Sequence, residues 1–187
     1  IPKQEIEKLR DIRDEVVLTI DPADAKDFDD GLSIKMLDNG NYYLGVHIAD
    51  VTHYMPRGSA LDDEAFERGT SVYLVDRVIP MLPEHLSNGV CSLRPNEDKL
   101  AFSCFMEIAP NGKLVDYTIE ETVIHSKQRF VYDEVQDILD GKENHKYINE
   151  LKTLQALANI LLDKRFREGS INFETPEPKF VLDENGK

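Results

Sequence analysis

The chain has 187 residues, 36 acidic against 22 basic, for a formal net charge of −14. With 41% hydrophobic and 31% charged residues it has the balance of a globular domain with a real core, which excludes a disordered tail; no apolar run approaches the ~20 residues that span a bilayer, so no membrane association is expected. A pI near 4.7 argues against a surface that holds nucleic acid by bulk charge, although an acidic site carrying divalent cations can still act on a polyanion. Cys91 and Cys104 lack metal-ligand spacing and are too few for a secreted disulfide scaffold, so a reducing, cytoplasmic setting is expected.

Residues 1–14 form a charged lead-in, with Ile6 and Leu9 at helical spacing. A strand is expected over Val16–Ile20, followed by the acidic loop Asp21–Asp30. The apolar runs Leu32–Leu37 and Tyr42–Ala49 flank Asp38-Asn39-Gly40-Asn41 and read as a hairpin. Ser59–Arg68 reads as a helix, with Ser59 as N-cap, acidic residues near the first turn and Gly69 as its stop. Val72–Pro83 reads as strand and extended chain, since Pro80 and Pro83 forbid a long helix. A second hairpin joins Leu100–Ile108 to Leu114–His125. Helices follow at Tyr132–Leu139 and Tyr147–Glu168, the latter striped by Ile148, Leu151, Leu154, Leu157, Ala158, Leu161 and Leu162. The fold class is therefore α+β, a mixed and largely antiparallel sheet with packed helices. The Asn185-Gly186 turn signal directly after Phe180-Val181-Leu182 suggests a piece of a longer protein.

The densest chemical signal lies in the acidic loop. Asp21, Asp27, Asp29 and Asp30 fall within ten residues, between two apolar strands. Two unit charges ~4 Å apart repel by ~4 kcal/mol at an effective dielectric of ~20, and divalent cations relieve that repulsion. Oxygen donors without neighbouring His or Cys favour Mg²⁺, with Mn²⁺ as a substitute, over zinc. On the residues alone, a solvated acidic turn stays open beside the metal site. An EF-hand begun at Asp27 would put Gly31 at its fifth position, and a phosphatase-type Asp-x-Asp motif would meet Gly31 where it needs Thr or Val.

The run Ile20-Asp21-Pro22-x-x-x-x-Asp27-x-Asp29-Asp30 resembles the signature of the RNB catalytic domain, the family of ribonuclease II, ribonuclease R and Dis3. The likeness continues through Gly45-Val46-His47-Ile48-Ala49-Asp50-Val51-Thr52-His53, Arg68-Gly69-Thr70-Ser71-Val72-Tyr73-Leu74, Ile79-Pro80-Met81-Leu82-Pro83 and Cys91-Ser92-Leu93-Arg94. It covers nearly the whole chain, with residues 15–187 as the amino-terminal part of such a domain. The bacterial ribonuclease R branch is nearest in wording.

The resemblance implies a Mg²⁺-dependent, processive, hydrolytic 3′→5′ exoribonuclease that takes single-stranded RNA 3′ ends and releases nucleoside 5′-monophosphates. Asp21 and Asp30 would be metal ligands, and Asp27 and Asp29 would complete the metal and catalytic set, with Asp29 most critical for the chemical step. Tyr73 and Phe173 match the rings that clamp the terminal nucleotides, and Tyr132 matches a tyrosine near the ribose. Stacking is worth ~1–3 kcal/mol per base and is indifferent to sequence; a phenol can hydrogen-bond a 2′-OH. The alternative for each ring is a place in the core. His47 and His53 are expected to be structural or polar-contact residues, and Arg94 to hold a loop or a phosphate. One departure counts: the family's later Thr-Ser-Pro-x-Arg-Arg-Tyr segment has no match here, nor do the OB-fold modules that guide RNA. The chain alone is therefore expected to be inactive. The rival reading is a non-catalytic module of this fold that binds RNA or protein.

Overall fold

The computed structural model describes Ile1 and residues 6–172. Its main sheet contains β1 (Arg10–Asp11), β2 (Val17–Asp21), β3 (Asp30–Met36), β4 (Tyr42–Ala49), β7 (Asp98–Ile108) and β8 (Leu114–Val131). The order is β1-β8-β2-β3-β4-β7, and β7 also pairs with β8. The pairings β8-β2-β3-β4-β7 therefore return to β8 and close a ring. All are antiparallel except those of β8 with β1 and β2. Gly40 and Gly112 take left-handed backbone conformations in the two hairpin turns, where a side chain would be strained.

Outside the ring, α1 (Ala60–Arg68) is capped by Ser59, whose Oγ accepts the Asp62 N–H at 3.2 Å, and it ends on left-handed Gly69. The extended segment after it is a small hairpin, β5 (Val72–Tyr73) with β6 (Val78–Ile79). A π-helical turn at Leu86–Val90 had no signal in the sequence. Helices α2 (Tyr132–Leu139) and α3 (Ile148–Arg167) complete the fold. Among the described residues no helix is long and apolar enough to cross a membrane. Part of the expected lead-in joins the sheet, with Arg10 and Asp11 opposite Thr122 and Val123.

β8 runs past its expected end at His125 because its second half acquires a new neighbour, β2. Between Val17↔Ser126 and Leu18↔Gln128 the register slips by one residue, which makes Lys127 a bulge. Such a bulge reverses the faces of the strand beyond it. Val17 and Ile124 pack inward with Ala101, Phe105 and Leu93. Beyond the slip, Leu18 and Phe130 turn outward to meet Ile138 of α2 and Leu151 of α3. Thr19, Asp21 and Arg129 consequently share the inner side of the β2–β8 pair. An apolar cavity of about 370 Å³ lies between α3 and the outer face, lined by Ile20, Leu32, Leu44 and Leu154 among others. It faces away from the acidic loop and belongs to packing.

The inner face also carries a buried polar ladder across four strands. His47 is fully buried; its Nε2 lies 3.0 Å from Ser33 Oγ and its Nδ1 2.8 Å from Ser103 Oγ, which in turn lies 2.6 Å from Thr122 Oγ1. Each polar atom of the ladder meets a partner, as burial demands. Gly45 is required here. A Cβ at that position would collide with Ser33 Oγ and come within 2.8 Å of His47 Nε2.

Candidate active site

The acidic loop is suspended between the end of β2 and the start of β3, and both of its ends are tied. Arg129 Nη2 donates to the carbonyls of Pro22 (2.8 Å) and Ala23 (3.2 Å). The Phe28 N–H donates to Ser92 Oγ at 3.0 Å, its carbonyl accepts from the Leu93 N–H at 2.8 Å, and the Asp29 carbonyl accepts from the Ala49 N–H at 2.9 Å. Gly31 lets this end of the loop approach β2 closely, since a Cβ there would sit 3.0 Å from Val17 Cγ1.

Asp21 is the last residue of β2 rather than the first of the loop, and only 9% exposed. Its Oδ2 is buried without a hydrogen-bond donor. Burial lifts its pKa, the Thr19 hydroxyl and the Arg129 cation oppose the lift, and the Asp30 and Asp29 carboxylates add to it. Asp30 opens β3 opposite Ile48. Asp29 is exposed at its tip but crowded by protein, and this loss of water raises its pKa, with Asp27 and Asp30 contributing as like charges. The four carboxylates thus act on one another across one rim of the sheet. Asp24, read as a loop residue, is exposed.

Oxygen donors alone, mutual repulsion and an unclaimed buried carboxylate oxygen fit a hard divalent cation. Among the described residues no group of three or more His, Cys, Asp or Glu side chains is placed so that it could hold a metal ion as it stands. The four carboxylates stand on two strand ends and a loop, not in a closed coordination shell.

Tyr132 is the first residue of α2 and directly follows Val131, the register partner of Asp21, so it stands beside the acidic rim; it is 59% exposed. Tyr73 is 72% exposed on the β5–β6 hairpin, and no hydrogen bond or ring contact joins it to the loop among the described residues. Neither ring occupies the core. Phe173 lies outside the described residues. His47 is a structural cross-link in the polar ladder and not a metal ligand. His53 N–H donates to Asp50 Oδ1 at 3.2 Å, and Arg94 donates to the Asn88 carbonyl. The sequence reading passed over Arg129, whose only signal was its place three residues before Tyr132.

Ring-closed sheet, acidic rim and motif order together define a family. Residues 9–187 match the RNB domain, and the chain belongs to that family. It is 49% identical, over its whole length, to Ribonuclease R 1 of Lactococcus lactis and 50% identical to Ribonuclease R of Thermotoga maritima, covering 23% and 27% of those relatives. Among solved structures, Mycoplasma genitalium RNase R in complex with double-stranded RNA matches with a TM-score of 0.93 at 34% identity, over 100% of this chain and 34% of that one. The chain spans about a quarter of the length of these curated relatives.

Proposed function

We propose that the protein to which this chain belongs is a processive, hydrolytic 3′→5′ exoribonuclease of the ribonuclease R type, dependent on Mg²⁺ or Mn²⁺, which degrades RNA from single-stranded 3′ ends to nucleoside 5′-monophosphates in the cytoplasm. The observation that carries this reading is the buried, unpartnered Oδ2 of Asp21 at the rim where Asp27, Asp29 and Asp30 gather. A binding module would gain nothing from four clustered negative charges facing phosphate, whereas a hydrolase can use them to hold cations against it.

Asp21 and Asp30 hold the cation from the ends of β2 and β3, and Asp27 and Asp29 complete the set. When bound, divalent ions supply an activated water and stabilise the leaving oxygen. Tyr132, beside the rim, donates its phenol hydrogen to the ribose 2′-OH or accepts from it and so favours RNA over DNA. Tyr73 and Phe173 stack on terminal bases. The 187 residues alone lack the arginine segment of the family, so phosphate at the reaction centre goes without that contact.

The test compares three proteins on end-labelled oligo(A) in Mg²⁺. The full-length protein degrades it to 5′-monophosphates; the 187-residue chain does so negligibly. Full-length Asp29→Asn, which keeps size and removes charge, loses at least ~10²-fold in rate while retaining RNA binding. Undiminished turnover in Asp29→Asn would return the acidic loop to a solvated turn.

A further inference from the structure

Arg129 holds none of the roles assigned above, yet its guanidinium reaches the acidic loop at both ends. It donates to the carbonyls of Pro22 and Ala23, just past Asp21, and its carbon lies 5.2 Å from the centre of the Phe28 ring, just before Asp29. Phe28 is fixed from the other side by Ser92 and Leu93. One side chain rooted on β8 therefore draws together the two ends of the loop.

What the guanidinium leaves alone is equally informative. An arginine among carboxylates ordinarily forms a bidentate pair with one of them. Here, among the described residues, no salt bridge joins Arg129 to a carboxylate, and Asp21 Oδ2 keeps its lone pairs unclaimed. Nη2 donates to two neutral carbonyls while the buried Nε has no partner among the described residues, so the loop is ordered without any of its carboxylates being occupied.

We propose that Arg129 is a positioning residue that straps residues 21–30 into a cation-ready shape before a cation arrives, an inference that rests on reading this loop as a divalent-cation site. Ordering a loop in advance removes that cost from the binding step. The positive charge itself repels the incoming cation, so strap and charge act in opposite directions. Lysine separates them: it keeps the charge but has no planar guanidinium to lie over Phe28 while a terminal nitrogen reaches Pro22 and Ala23.

The experiment uses the full-length protein without metal and then with Mn²⁺ as the probe. Amide exchange is followed at residues 23–28, with β4 and β7 amides as an internal reference, and Mn²⁺ affinity is measured by electron paramagnetic resonance. In Arg129→Lys, loop exchange accelerates about tenfold, the reference amides match wild type, and Mn²⁺ binding weakens about tenfold. In Arg129→Gln, loop exchange accelerates to the same degree and part of the lost affinity returns, because the repelling charge is gone. Unchanged loop exchange in Arg129→Lys overturns the proposal, as does unchanged Mn²⁺ affinity. A rise that is equal in the loop and in β4 and β7 also overturns it, since Arg129 would then support the whole sheet. An Asp21→Asn control isolates the underlying reading: if Mn²⁺ binds it as tightly as wild type, the cation site fails, and loop exchange alone judges the strap.

Discussion

Lowering the pH from 7.5 to 5.5 should weaken this fold through a single imidazole, that of His47. Complete burial, helped by the nearby Arg10 cation, holds its pKa down to about 4, whereas an unfolded-chain imidazole titrates near 6.5. Between those values the unfolded chain binds a proton that the folded chain refuses. Stability from this group is therefore complete above about pH 6.5 and is lost as the pH falls toward 4. At pH 5.5 the loss is about 1.4 kcal/mol relative to pH 7.5. That pH stays above the pI of 4.7, so solubility is preserved. The raised pKa values of Asp21 and Asp29 work in the opposite sense, since protonation relieves their crowding in the folded state. Guanidinium unfolding of wild type and His47→Gln at both pH values, followed by circular dichroism, cancels those shared contributions. The wild type should lose about 1.4 kcal/mol more than the variant on acidification. An identical pH response in the two proteins would refute a buried neutral imidazole.

Other outcomes follow from the same geometry. Gly45→Ala should destabilise the fold by ~1–3 kcal/mol, read by the same unfolding assay, because its Cβ must displace Ser33 and His47 together. In the full-length protein, Tyr132→Phe should narrow the difference in cleavage between RNA and a chain with 2′-deoxy residues near its 3′ end, whereas Tyr73→Ala should leave that preference intact and change the length of the last undigested product. Ladders and sugar preference unchanged in both variants would show that the exposed rings have no part in RNA handling. The 187-residue chain should self-associate in sedimentation, since Ile48, Phe102, Ile119 and Tyr117 form an exposed apolar row on neighbouring strands; a monomer at high concentration would contradict this.

Much of the local structure was legible because its causes are local. The Asp38–Asn41 turn, the Ser59 cap and the Gly69 stop each act within a few residues, and all appear as expected. The four aspartates were legible as a set because they are close in sequence, and the family's motif order located them. What could not be read depends on partners far along the chain. The extension of β8 to Val131 needs β2, more than a hundred residues earlier, and nothing near His125 announces it. Asp21 belongs to a strand, not a loop, for the same reason. Arg129 looked like one more charge in a polar stretch, since its carbonyl partners are Pro22 and Ala23. His47 showed no obvious convergence with His53, and its true partners Ser33 and Ser103 lie on other strands.

Chain length ordinarily varies in loops, where an added or missing residue is absorbed at the surface. Within β8 a surplus residue is absorbed inside the sheet instead. The strand takes one residue more than β2 between Ser126 and Gln128, and the bulge restores the pairing beyond it. Were the bulge drawn flat with Lys127 kept in line, strict alternation would swing Phe130 into the polar interior and Arg129 out among the helices, with composition and charge unchanged. Were Lys127 removed together with the bulge, Leu18 would still face Gln128 and Thr19 would still face Arg129. The Lys127 ammonium donates to the Arg13 carbonyl, but the facing depends on the backbone stepping aside here, not on the side chain. Many letters could stand at 127, and what aims Arg129 at the acidic rim is the sidestep itself.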